Sequence, residues 1–392
     1  MKKILKKTIS VCLGFLLIWE FCVFVGADRA NEGEQEAIGR PALNCKSAIL
    51  MEASTGKVLF EQNSDEAMAP ASVTKVMTLL LVMEAIEDGR LQYSDTLSAS
   101  AHACSMGGSQ IYLEEGEQMS VEDLIKSVVI ASANDAAVVL AEAASGTEDA
   151  FVETMNAKAR TLEMKNTHFE NTNGLDDTAT NHVTSARDIA IMSRELIRYP
   201  KILEYSSIWM DTIRNGEFGL TNTNRLIRFY KGATGLKTGS TSKAGFCISA
   251  TAERDNMSLI CVIMGAESRD IRNAAACSLL DWGFANYARY DDTESYCAEV
   301  PVIGGTQDRC RICGESFSTI VEKADLPNVK KEITISDRVS APLQKGQKIG
   351  SVAYALDGNK IGEADILADE TVDRITFWGI WAKILKHMSF PF

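Results

Sequence analysis

Strand-like apolar runs stand at both ends of the folded body with helical patterns between them, and this order constrains the fold more than any other feature of the chain. Ser47–Ala53 and Lys57–Glu61 flank the turn-like Ser54-Thr55-Gly56 and predict a β-hairpin. Gly245–Ala252 and Leu259–Gly265, joined by the polar link Glu253–Met257, predict adjacent antiparallel strands. Between these pairs, Val73, Val76, Met77, Leu80 and Leu81 recur at helical spacing behind Pro70. Val121–Ala144 is a long helical stretch interrupted by Ser132-Ala133-Asn134-Asp135. A third helix spans Thr184–Tyr199, capped by Thr184 or Ser185 and stopped before Pro200, and Arg272–Tyr287 closes the body as a helix. Strands bracketing helices require one sheet that joins both chain ends, so the fold class is α+β. Beyond Asp291, the β-branched, Gly-punctuated stretch to Asp369 predicts a small all-β domain. No internal repeat is evident.

A chain of 392 residues is long for a single core, which fits a large domain with a smaller companion. With 46% hydrophobic and 24% charged residues and only 7 Pro, disordered and collagen-like classes are excluded. Lys2, Lys3, Lys6 and Lys7 precede an apolar run from Val11 to Val25, and Val25-Gly26-Ala27 offers small residues for cleavage. We read residues 1–27 as an export signal cut after Ala27. A retained anchor is the alternative, disfavoured by Glu20 at membrane depth and by the short run. Both readings put the body outside the cytoplasm. Removing residues 1–27 takes away four Lys and one Glu, so the formal charge of -13 becomes -16. So acidic a body excludes a nucleic-acid partner, whose phosphates demand a basic surface.

Ten Cys are present, and eight remain once Cys12 and Cys22 leave with the signal. Cys247, Cys261 and Cys277 lie in apolar runs and read as buried free thiols. Cys310-Arg311-Ile312-Cys313, with Cys297 nearby, reads as a local disulfide or two surface thiols. A metal knuckle would need a second Cys pair or a nearby His.

Three short constellations carry chemistry. In Ser72-Val73-Thr74-Lys75, residues three apart on a helix share a face, so a hydroxyl and an amine can meet as nucleophile and base. Ser132-Ala133-Asn134 interrupts an apolar segment with two polar side chains. Lys237-Thr238-Gly239-Ser240 sits at a strand edge, where Gly239 lets backbone approach a ligand and Lys237 adds positive charge. Each alone has an ordinary explanation: a solvated Ser and Lys, a helix cap, a turn.

Taken in order, S-x-x-K, S-x-N and K-T-G resemble the signature of the penicillin-recognising serine enzymes, which include class A β-lactamases and penicillin-binding proteins. The resemblance is strongest to the low-molecular-mass penicillin-binding proteins that act as D-alanyl-D-alanine carboxypeptidases. It extends to Met68–Ser72, Phe169–Leu175, His182–Asp188, Lys237–Gly245, Val262–Gly265 and Trp282-Gly283-Phe284. Ser240 departs from it, since many relatives carry His there, and so does the Cys310/Cys313 pair.

The resemblance implies a β-lactamase/transpeptidase-like domain, with an antiparallel sheet flanked by helices and a mostly helical subdomain. A small all-β domain and a C-terminal amphipathic helix would follow. The expected map is signal 1–27, flexible leader 28–44, catalytic domain 45–290, β-rich domain 291–370 and membrane-surface helix 371–392. The implied catalytic residues are Ser72, Lys75 and Ser132. Substrate would be bound by Asn134, Lys237, Thr238, Gly239 and Ser240, with the Ser72 and Ser240 amides as oxyanion hole, and no metal or cofactor is required. Lys75 must be neutral to act as a base, which calls for burial and a nearby cation, with Lys237 the candidate. The implied partners are peptidoglycan pentapeptide stems, β-lactams as covalent inhibitors, and a membrane surface. Phe377, Trp378, Trp381, Ile384, Leu385 and Met388 share one helix face, with Thr376, Lys383, Lys386 and His387 opposite.

Rival readings are weaker. No G-x-S-x-G or H-E-x-x-H occurs, against a Ser-His-Asp hydrolase or a zincin; the four His read as structural. A class A-like β-lactamase would need a Glu before K-T-G, where Glu195-Leu196 is a poor match. A non-catalytic wall-binding protein on the same fold would be expected to lack one of Ser72, Lys75 or Lys237.

Overall fold

The computed structural model describes residues 39–388 apart from 178, 294, 295 and 337. The expected export segment and most of the leader lie outside the described residues. Among the described residues, contacts already precede Cys45: the Arg40 guanidinium donates to the Glu61 carbonyl and lies 4.5 Å from the centre of the Phe60 ring.

The first sheet joins both ends of the body, as the run order requires. Strands β1 (Ser47–Glu52), β2 (Val58–Gln62), β3 (Ala233–Thr241), β4 (Gly245–Arg254) and β5 (Met257–Ala266) pair in the lateral order β2-β1-β5-β4-β3. Every neighbouring pair is antiparallel. The runs of β1 and β5 are continuously apolar because the sheet is covered on both faces. Ile49, Met51, Ile260 and Val262 join the core on the helical side; Ala48, Leu50, Leu259 and Cys261 join the opposite core.

Helix α1 (Lys75–Glu87) follows a 3₁₀ turn, Ala71–Thr74, and is buried nearly all round, which makes it the spine of the helical layer. Each fully buried Leu or Ile of such a helix contributes about 1.5–3 kcal/mol. The stretch from Val121 is broken where the sequence places Ser132. It runs as a helix to Lys126, widens into a π turn over Ser127–Ala131, and stops at Ser132 in the left-handed region (φ 65°). Helix α2 (Asn134–Ser145) then restarts. Helix α3 (Ala186–Leu196) is capped by the Ser185 hydroxyl, which accepts from the Asp188 amide. Pro200 does more than end that helix: it opens the next, Pro200–Ser206, at a position where its missing N–H is harmless. Helix α4 (Arg269–Asn286) covers the second sheet face and runs into strand Tyr287–Asp292.

The second sheet has the lateral order Lys330–Ile335, Lys348–Leu356, Asn359–Ala368, Arg309–Gly314, Cys297–Ile303 and Val339–Ser340. It holds its own core around Tyr354, on which Phe317 stacks at 4.0 Å. The cysteine expectation is corrected here. Cys313 is bonded to Cys297, directly opposite in the strand register, while Cys310 is a buried free thiol. Side chains three apart on a strand point to opposite faces, so Cys310 and Cys313 cannot meet. Cys247 and Cys261 are buried thiols and Cys277 is a partly buried one, as read from their apolar runs. The chain ends in α5 (Phe377–Met388), and no described helix is long and apolar enough to cross a membrane.

Candidate active site

The 3₁₀ turn that carries Ser72 is fixed from three sides. Gly174 (φ +85°) packs so closely that a Cβ there would lie 1.9 Å from the Ala71 carbonyl oxygen. A Cβ on Gly239 of β3 would lie 2.7 Å from the Ser72 nitrogen and 2.8 Å from that of Val73. Gly239 therefore lets the strand approach the Ser72 turn, whereas the sequence suggested approach to a ligand. On the third side, His182 Nδ1 accepts from the Glu170 amide (3.0 Å), so its Nε2–H donates to Thr74 Oγ1 (2.8 Å), which donates to the Ala71 carbonyl (2.8 Å). Burial holds the His182 imidazole down to about 4, so it stays neutral in this network. Ala71 itself takes a positive φ of 49°, strain of order 1–3 kcal/mol that these contacts hold in place.

Lys75 is fully buried, and its Nζ lies 2.9 Å from Ser72 Oγ, 2.5 Å from Asn134 Oδ1 and 2.8 Å from the Asn173 carbonyl. Burial pushes its pKa well below the ordinary lysine range, and the nearby Lys237 charge pushes the same way, against Asp135. A neutral amine has two N–H donors and one lone pair. The two carbonyl-type oxygens can only accept, so in the neutral form they would take both donors and leave the lone pair facing Ser72 Oγ. The arrangement sets a hydroxyl against a buried amine.

Lys237, also buried, donates to Ser132 Oγ (2.8 Å) and to the Thr238 carbonyl (2.8 Å). Burial, then Arg272, lowers it to about 7. The left-handed turn at Ser132 carries its hydroxyl to that amine. Ser72, Ser132, Thr238, Gly239 and Ser240 line one cleft of about 610 Å³, with Lys75 and Lys237 buried behind it. Thr238 Oγ1 donates to Thr223 Oγ1 (2.9 Å) at its floor.

Asn134 has a duty the sequence did not suggest. Its Oδ1 holds Lys75 and its Nδ2 donates to the Gly107 carbonyl (2.6 Å), leaving one amide proton for any substrate. Beside it, the buried Asp135 carboxylate accepts from the Ile111 and Leu113 amides and fixes the loop that forms one rim. Sequence reasoning also missed Asn173, a main-chain acceptor, and Arg272, which lies buried in the first turn of α4 and lines the cleft. No carboxylate lines the cleft among the described residues, and four guanidiniums do.

The family described as D-alanyl-D-alanine carboxypeptidase matches residues 34–268, and the penicillin-binding protein 5 C-terminal domain matches residues 290–374. D-alanyl-D-alanine carboxypeptidase DacF of Bacillus subtilis is 41% identical over 97% of this chain and 100% of its own length. D-alanyl-D-alanine carboxypeptidase DacC of Escherichia coli is 32% identical over 92% of each chain. Among solved structures, penicillin-binding protein 5 from Haemophilus influenzae superposes with a TM-score of 0.74 at 33% identity, covering 86% of this chain and 100% of that one.

Proposed function

The chain belongs to the D-alanyl-D-alanine carboxypeptidase family, a penicillin-binding serine peptidase, and from that premise we propose that Ser72 is its nucleophile and Lys75 its base. The observation that carries the assignment is the 2.9 Å approach of the fully buried Lys75 Nζ to Ser72 Oγ, in a setting that disfavours the charged amine. In acylation, Ser72 Oγ bonds to the carbonyl carbon between two D-Ala residues while its proton passes to Lys75 Nζ. The C–N bond then breaks, the departing D-Ala amine takes a proton relayed through Ser132, and water later releases the shortened stem from Ser72. Lys237 and Thr238 hold the terminal carboxylate by charge-assisted contacts, and Arg272 adds a second cation. The Ser72 and Ser240 amides form the oxyanion hole. A β-lactam acylates the same oxygen.

A class A β-lactamase reading lacks the Glu that would position its deacylating water: no carboxylate lines the cleft among the described residues, and Glu195 is paired with Arg198 at 2.8 Å. We assign the substrate as pentapeptide stems outside the cytoplasm, with residues 45–290 as the catalytic domain and 291–370 as its support. The terminal helix would rest on a membrane surface. In support, Phe377, Trp378 and Trp381 are 67%, 79% and 50% exposed, while Lys383 ties the helix to the Asp308 carboxylate at 2.6 Å. Release of D-Ala from a pentapeptide, measured across pH, tests the reading. Wild-type release that disappears in Ser72→Ala is expected, and full release by that variant would overturn it.

A further inference from the structure

Three guanidiniums at one end of the cleft lack an acidic partner. Arg225, Arg228 and Arg269 line it together with Arg272, and among the described residues none of the three forms an ion pair. Arg228 lies 5.5 Å from the ring centres of both Trp209 and Phe229, which sets its position. Arg225 and Arg269 are near enough to Arg272 that, after burial, their charges help hold it down to about 10; Asp270 is the carboxylate acting against them. Such crowding of like charges favours the entry of an anion among them.

The terminal carboxylate of the leaving D-Ala has Lys237, Thr238 and Arg272 already. Arg225 and Arg269 line the same cleft close beside Arg272, the cation assigned to that carboxylate, so the surplus charges adjoin the leaving residue. We propose that Arg225, Arg228 and Arg269 form a subsite for a second carboxylate on the leaving residue, so that the enzyme also releases acidic D-amino acids from D-Ala–D-X termini. This rests on the carboxypeptidase reading. The bonds made and broken are the same: Ser72 acylates, the acidic residue leaves with its amine protonated, and water completes the hydrolysis.

The test compares diacetyl-L-Lys-D-Ala-D-Ala with diacetyl-L-Lys-D-Ala-D-α-aminoadipate. Wild-type kcat/KM for the acidic peptide should equal or exceed that for the D-Ala peptide, and the advantage should fade in high salt. An Arg225→Gln, Arg228→Gln variant should lose about 10-fold or more on the acidic peptide and less than about 2-fold on the other, the scale of one or two charge-assisted contacts. The corresponding Lys double variant, which keeps both charges, should recover most of that loss. Equal losses on both peptides, or wild-type rejection of the acidic one, would overturn the subsite alone. Failure of the wild type on the D-Ala peptide would instead overturn the carboxypeptidase reading and the subsite with it.

Discussion

Replacing Lys75 by Arg keeps a cation at the position and removes the lone pair, because a guanidinium does not deprotonate. Acylation by Lys75→Arg should fall by about 10²–10⁴-fold, the range of a lost general base, and stopped-flow penicillin labelling would read it. Lys237→Ala removes the like charge that helps keep Lys75 low. The Lys75 pKa should then rise, and since the base acts only when neutral, the ascending limb of the pH–rate profile should move to higher pH. Lys237 carries its own pH signature. Held down to about 7, it loses its charge above that value in the free enzyme, so KM should climb there. The pairing of Ser72 with Lys75 was legible in the sequence because both lie within one helical turn. The bond from Asn134 to Lys75 was not, since it spans a separation of 59 residues and only the assembled layer brings them together.

Elements meet at the site with little slack. One close approach is β3 against the nucleophile turn, where Gly239 leaves no room for a methyl group. Gly239→Ala should push the strand away, cost about 1–3 kcal/mol by overpacking, and slow acylation at least as much as it lowers the melting temperature. Thermal melts beside acylation rates would check this, and a stable, fully active variant would contradict it. Element types could be read from apolar periodicity, and the sheet joining both chain ends followed from their order. The π turn before Ser132 could not be read, because its left-handed end is imposed by packing rather than by a Gly. The arginine cluster was hidden for a similar reason: Arg225 and Arg228 come from the segment of a short helix packed on β3, Arg269 and Arg272 from α4 packed on β4 and β5, and only the assembled fold gathers them.

At the scale of the whole molecule, the small domain stands apart from the chemistry. A Cys297→Ser, Cys313→Ser variant should keep wild-type turnover while that domain loses about 3 kcal/mol, the value for closing a loop of this size. Loss of turnover in a folded variant would reveal a coupling absent from this account. Cys310 was misread as a partner because spacing along a strand was visible in the sequence and the register opposite it was not. Truncation after Asp373 removes the aromatic face of α5 and should abolish sedimentation with anionic vesicles while D-Ala release in solution persists. Vesicle binding by the truncated, signal-cleaved chain would refute the role of that helix. The central claim, that Ser72 is acylated, is tested most directly by intact-protein mass spectrometry after mixing with penicillin, followed by peptide mapping. The expected result is one adduct on the wild-type protein, mapped to the peptide containing Ser72, and none on Ser72→Ala; an adduct on that variant, or one mapped to another residue, would contradict it.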